Sequence, residues 1–148
     1  MKKLLSLATA VLLTGACQQS KTDDDVWAAA YGFAYSYFNY NLQSAREYAT
    51  DESYRWLSFV ASNMTEADIE ALHGLSERTD VEVTECALQS DTTAVAWVAV
   101  SNFLEFSAIG GEGRIVEDGR FELPLVLRGG RWLVRMGGPL QSEKPGRD

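Results

Sequence analysis

The apolar positions of this chain follow two different periods. From Val26 to Phe38 they recur every three or four residues, with Val26, Ala30, Phe33 and Tyr37 on one stripe and Trp27, Tyr31, Ala34 and Phe38 on the next. That spacing predicts a helix with a wide apolar face. Asp23, Asp24 and Asp25 stand just before it, where carboxylates accept from free amides and suit the N-terminal dipole, so the helix is expected to start near Val26. Asn39-Tyr40-Asn41 breaks the pattern. A short helix is expected next, with Leu42, Ala45, Tyr48 and Ala49 inward. Another begins at Thr50, with Tyr54, Leu57, Val60, Ala61 and Met64 on one side. Thr65-Glu66-Ala67-Asp68 has the form of a capping box. It opens a last short helix with Ile69 and Leu72 inward, closed by Gly74.

After Gly74 the period shortens to two. Val81 to Leu88 reads as a strand whose alternation slips near Glu85, the signature of a bulge. Ser90-Asp91-Thr92 is a turn. Ala94 to Phe106 is a long strand, apolar on both faces over part of its length. Residues 107–119 form a glycine- and charge-rich connection with room for a short strand at 113–117. Phe121, Leu123, Leu125 and Leu127 mark one face of the next strand. Pro124 has no N–H to donate, which places that strand at an edge or a bulge. Gly129-Gly130 signals a two-residue hairpin. The last strand presents Trp132, Val134 and Met136, and 137–148 reads as a flexible tail. Helices followed by a meander of strands predict an α+β fold, with N-terminal helices packed on an antiparallel sheet.

The first residues carry an address. Lys2 and Lys3 precede an apolar stretch from Leu4 to Leu13. A helix of that length reaches about 15 Å, half the hydrocarbon core of a bilayer, and has the proportions of a signal peptide. Leu13-Thr14-Gly15-Ala16-Cys17 resembles the lipobox of bacterial lipoproteins, with Thr14 where Leu is usual. The resemblance implies a signal at 1–16 and lipid attachment at Cys17, which anchors the protein to a membrane. An ordinary secretory signal cut near Ala16 is the alternative. Gln18, in place of the Asp of inner-membrane lipoproteins, implies the outer membrane. The polar tether at 17–25 ends in an acidic run and resembles the surface-export signal of Bacteroidetes lipoproteins, so the domain is expected to face the periplasm or the cell surface.

Charge narrows the partners. The formal net charge is −8, and loss of Lys2 and Lys3 with the signal leaves −10. Such a surface repels nucleic acid. From Cys17 to Gly113 there are 4 basic and 16 acidic residues, and from Arg114 onward 7 basic and 5 acidic. The basic end makes Arg120, Arg131 and Arg135 candidates for an anion or partner contact. With Cys17 lipidated, Cys86 is the only other cysteine, and His73 is the only histidine. No metal cluster can be assembled from these in a monomer, and no cofactor motif is present. His73 reads as a helix C-terminal residue, Cys86 as a small core residue.

Several segments resemble a family. Ala45-Arg46-Glu47-Tyr48-Ala49-Thr50-Asp51-Glu52 looks like the A-x-x-Y-A-T-x-E segment of small bacterial lipoproteins with an NTF2-like, cystatin-like domain of the DUF4878 (lumazine-binding-like) type. Thr92 to Val98 looks like its D-x-A-x-V-x-V strand. Leu125-Val126-Leu127 and Gly130-Arg131-Trp132-Leu133-Val134 look like its closing hairpin. Asn39-Tyr40-Asn41 and Gly129-Gly130 depart from its usual Gly-Asp and Asp-Gly turns. The resemblance covers about residues 26–136 and implies a curved sheet wrapped around a long helix, with a cone-shaped cavity between them. It implies no activity, because such a fold hosts enzymes, binders and dimerisation modules.

Function is read from side chains. Aromatic richness suggests a noncatalytic module whose walls suit an apolar or glycan ligand: Trp27, Tyr31, Tyr35, Trp56, Trp97, Phe103 and Trp132, with Tyr37 and Tyr40 besides. The alternative is a structural module that pairs with a second copy, or with another envelope protein, through its sheet. Catalysis is not expected. Asp51 and Asp68 read as caps, Asp80 and Asp91 as turn residues, and only Glu82, Glu85 or Glu105 remain as inward-facing candidates for a general base.

Overall fold

A computed structural model describes residues 14–106 and 113–143. Most of the signal expected at 1–16 lies outside them, as do the tip of the 107–119 connection and the end of the tail. Helix α1 runs from Thr14 to Phe38. It therefore starts upstream of Val26, and the exposed Asp23, Asp24 and Asp25 lie inside it rather than capping it. No glycine or proline falls between Cys17 and Val26 to stop the helix. No described helix is long and apolar enough to cross a membrane.

The inner stripe of α1 behaves as its period predicts. Val26, Ala30, Phe33, Ala34, Tyr37 and Phe38 are buried against the sheet. Its four strands, β1 Asp80–Leu88, β2 Thr93–Phe106, β3 Gly113–Arg128 and β4 Arg131–Val134, are antiparallel and follow sequence order, and α1 packs mainly on β1, β2 and β4. The register of β1 shifts between Val83 and Glu85, where the bulge is expected. Gly129 and Gly130 have φ of +57° and +76°, the mirror-image turn that only glycine adopts without strain.

Two features depart from the expected strands. The segment at 113–117 is no separate short strand but the start of β3, paired with the far end of β2 through Val116–Phe103 and Ile115–Leu104. Pro124 lies in an inner strand of the sheet, yet its placement follows its chemistry. Its carbonyl accepts from Arg135 N at 2.9 Å, one residue past the end of β4. The missing N–H of Pro124 falls on the rung where β4 stops, so β3 is an edge only from there back.

The sheet is also bent. Asn102 has φ +55°, its carbonyl accepts from Thr79 Oγ1 at 2.7 Å, and its amide donates to Glu77. Across this left-handed residue the inward face changes phase. Val100 and Phe103, three residues apart, are both buried, which strict alternation forbids.

The loop that carries the family resemblance has a structural role. Helix α2, Leu42–Ala45, leads through two single turns, Arg46–Tyr48 and Asp51–Ser53, into α3, Tyr54–Asn63. Between the turns Thr50 N donates to Val134 O at 2.9 Å, and Ser53 Oγ accepts from Met136 N at 2.8 Å. Thr50 and Ser53 are fully buried and bonded to each other. The A-T-x-E segment thus docks on the end of the G-x-W-x-V strand, tying the helical layer to β4. Glu52, at the rim of this joint, bonds Arg128 at 2.7 Å, and that hydrogen bond pulls its carboxyl down to about 2.

Helix α4, Glu66–His73, carries the expected capping box between Thr65 and Asp68. Its inward face differs from expectation. Asp68 is buried while Ile69 is 44% exposed, because Asp68 Oδ1 also accepts from Gly113 N at 3.2 Å and turns the helix toward β3. Ala61 on α3 is likewise exposed, with Leu57 and Val60 carrying the packing. The Thr65 amide, the largest influence, holds the Asp68 carboxyl below its ordinary range against the cost of burial.

Residues 137–143 do not fray as expected. Leu140 packs against the core, Glu143 N donates to Arg120 O at 2.8 Å, and Ser142 Oγ donates to Glu105 at 2.8 Å. The tail is a strap across the open end of the layers, held by polar contacts that its lack of apolar period does not reveal.

Candidate functional site

That strap closes one side of a cavity. The end of α1 contributes Tyr37 and Phe38, and the following turn adds Tyr40. Tyr40 can reach inward because it takes the left-handed conformation, φ +58°, that ends the helix. Helix α3 supplies Phe59, Val60 and Asn63. The bent part of β2 supplies Phe103, Leu104 and Glu105, β3 supplies Phe121, and the strap supplies Pro139, Leu140 and Gln141. The enclosed volume is about 170 Å³. For comparison, a dry apolar cavity of about 150 Å³ accepts a benzene-sized molecule.

Three of the rings brace one another. Phe38, Phe103 and Phe121 have centroids 4.6–5.5 Å apart, with tilted or edge-to-face geometry. Such pairs add about 0.5–1.5 kcal/mol each beyond area burial. The wall is therefore stiff on that side.

Polar groups sit on the wall at defined places. Tyr40 Oη donates to the Leu104 carbonyl at 2.6 Å. Burial, first, and then the neighbouring Tyr37 and Asp68 push the Tyr40 phenol far above its ordinary value. Burial raises Tyr37 to about 12, against a backbone hydrogen bond with Leu140. Both phenols stay neutral at physiological pH. Asn63 donates its amide to Phe59 O at 2.8 Å, which leaves its Oδ1 for another donor. Among the described residues, Glu105 is the only charged one on the wall. It faces Arg114 at 3.5 Å, and that arginine is 72% exposed.

Of the seven aromatic residues expected to bind a ligand, Phe103 alone lines this cavity. Trp27, Tyr31 and Tyr35 stack on one another along α1, at 5.3 and 5.8 Å, with Trp27 and Tyr35 on the outside. Trp132 is buried in the core. Trp97 is half-buried beside Arg120, whose guanidinium is 6.0 Å from the ring centroid. Trp56 is edge-on to Phe59 at 6.4 Å, one residue removed from the cavity, and its indole N–H is buried without a partner among the described residues. Tyr37 and Tyr40, the two further aromatics expected on a ligand wall, do line the cavity, and its rings outside the expected set are Phe38, Phe59 and Phe121. Their positions along the chain fit an ordinary core, and only the bend at Asn102 and the strap leave space between them.

The arginines do not converge. Arg131 pairs across the hairpin with Arg128, eight residues along β3 from Arg120, or roughly 26 Å at the rise of a strand. Arg120 lies between Glu85 and Glu143 at 3.9 and 3.8 Å. Arg131 donates to Glu47 O at 3.0 Å, and Arg135 is exposed on the strap side of β4. Two of the three expected anion-binding side chains are thus already engaged, Arg120 by two carboxylates and Arg131 by a main-chain carbonyl. His73 is exposed at the end of α4. The Cys86 thiol is raised by burial and by Asp23 and Glu85, the reverse of an activated nucleophile. Glu82 and Glu85 point outward. The Cys17 side chain lies outside what is described.

A second, more open hollow of about 460 Å³ lies between Glu77, Asn102, Glu117 and Asp118. Its walls are mostly polar, and the described residues hold no cluster of metal-binding side chains.

No family model matches this chain, and no curated protein does. Among solved structures, a point variant of Rv3472, a protein of unknown function from Mycobacterium tuberculosis, superposes with a TM-score of 0.57 at 11% identity. The match covers 91% of this chain and 79% of that one. That likeness shows the fold. An NTF2-like protein of unknown function from Shewanella oneidensis MR-1 gives a TM-score of 0.47 at 15% identity, over 75% of this chain and 92% of that one. An NTF2-like protein involved in plasmid conjugation gives 0.48 at 12% identity, over 88% of this chain and 50% of that one. These two scores are too low for either to inform the site.

Proposed function

We propose that this protein is a lipid-anchored, NTF2-like module of the outer membrane that binds a small, largely apolar molecule without transforming it. One observation carries the binding role: the aromatic cavity of about 170 Å³ between α1, α3, the bent sheet and the strap. A small apolar pocket with a few placed polar groups is the usual form of a ligand site. The noncatalytic reading is supported by the wall itself. Its described residues include no histidine or cysteine, its phenols are held neutral, and the Glu105 carboxylate already has Arg114 and Ser142 as partners. The outer sheet face offers less. Arg120 stands there among Glu85 and Glu122, whereas stable self-pairing surfaces are mostly apolar.

Filling the cavity tests this. Val60→Phe should raise the melting temperature slightly, since an empty apolar volume costs about 24 cal/mol per Å³. It should also abolish the thermal shift given by small aromatic and aliphatic alcohols. In the unmodified protein a ligand at a hundredfold excess over its Kd adds about 2.7 kcal/mol. Equal shifts in both proteins would remove the cavity from consideration.

The anchor rests on the lipobox-like residues before Cys17. Cys17→Ser should move the protein from the membrane fraction to the soluble fraction of its host. Two or three acyl chains hold a protein firmly, as each buried CH₂ contributes about 0.8 kcal/mol. An unchanged distribution, or an unmodified mass for the native protein, would sink the assignment.

A further inference from the structure

The cavity wall has an uneven chemistry. Of the thirteen described residues that line it, six are aromatic and none is lysine, arginine or histidine. Its single charge is the carboxylate of Glu105, which is 18% exposed. Asn63 Oδ1 and the lone pairs of the Glu105 carboxylate that Ser142 and Arg114 leave over can accept a hydrogen bond. Aromatic faces carry negative potential, and a carboxylate beside them adds to it. The arrangement disfavours an anion, and no described cationic side chain on the wall offsets it.

Resting on the binding role proposed above, we infer that the ligand is a small organic cation of the quaternary or methylated ammonium class, seated among the rings with its charge toward Glu105. Such cations lose little hydration on entry and are held by ring faces rather than by directed hydrogen bonds. The volume suits a trimethylammonium head with a short substituent. Ser142 and Arg114 each engage one oxygen of Glu105 and leave lone pairs over, and because Arg114 is largely solvated its ion pair is screened, so the carboxylate can also face a cation. The acidic surface, with a formal net charge of −8, raises the local concentration of cations over anions. Ser142 and Leu140 place the strap against the same wall, so the rim that admits the ligand also carries the hydrogen bond to Glu105.

The test compares two ligands of one shape. The full chain is titrated calorimetrically with choline and with its uncharged carbon analogue, in which a tert-butyl group replaces trimethylammonium. Choline should bind about tenfold more tightly, the size of a desolvated cation–π contribution. Glu105→Gln should weaken choline about five- to tenfold and leave the analogue within about twofold. Phe59→Leu keeps an apolar wall and should also narrow the preference, which guards against a fold defect in the Glu105 variant. If the analogue binds as well as choline, or if both substitutions weaken the two ligands alike, the cation assignment is overturned while the cavity remains a binding site. If neither ligand binds and the neutral panel gives no thermal shift, the binding role fails with it.

Discussion

Phe33→Ala is expected to destabilise the protein by about 3–5 kcal/mol, the usual range for truncating a buried aromatic. Phe33 is fully buried in the C-terminal half of α1 and stacks on Tyr37 at 5.6 Å. The helix is held along its length by β1, β2 and β4, so it cannot settle into the void that Ala would leave. A domain of this size typically has 5–15 kcal/mol in hand, so the loss would be a large fraction. The melting temperature should fall by roughly 10–20 °C. Urea unfolding should show a lower midpoint at unchanged slope. Tyr35→Ala is the control. It is 51% exposed, with its ring stacked on Tyr31, so it should cost under about 1 kcal/mol. Equal losses at the two positions would mean that α1 does not present the face described.

Gly119→Ala should cost about 2–3 kcal/mol through overpacking. A Cβ at Gly119 would lie 2.6 Å from Phe103 Cζ and 2.9 Å from Cε1. Phe103 cannot swing aside, because Phe38 and Phe121 meet it edge-on at 5.5 and 5.4 Å. Backbone strain plays no part, since the left-handed glycines among the described residues are Gly129 and Gly130. Gly137→Ala, where nothing lies within 4 Å, should be close to neutral. The same clash should deform the cavity wall and weaken any ligand. Combining Gly119→Ala with Phe103→Leu should restore at least about 1 kcal/mol relative to additivity, as contacting residues do. Strict additivity of the two would show that the ring and the glycine are not in contact.

Much of the architecture was legible because it is local. The stripe Val26–Ala30–Phe33–Tyr37 requires a helix with one buried side, and that side is buried. Thr65 and Asp68 spell out a cap that forms between near neighbours. Gly129-Gly130 permits the one hairpin turn that matches strand twist. The phase slip in β1 is visible as a pattern because a bulge displaces every later side chain. Less was legible where local signals were silent or competed. The aspartates before Val26 suit a cap, yet nothing breaks the helix ahead of them. Asp68 and Ile69 trade places because of a hydrogen bond from Gly113, 45 residues away.

The amino-acid sequence by itself determined the order of elements, the core stripe of α1, the Thr65–Asp68 capping box and the hairpin, since each depends on residues within a turn or two of one another. The tertiary structure alone decided the cavity. Its wall joins Tyr37, Phe59, Phe103 and Leu140, residues with no shared period, and its space opens only because Asn102 reverses the face of a bent strand and residues 137–143 return across it. Contacts between distant segments are set by the summed packing of the whole chain, and no local pattern encodes that sum.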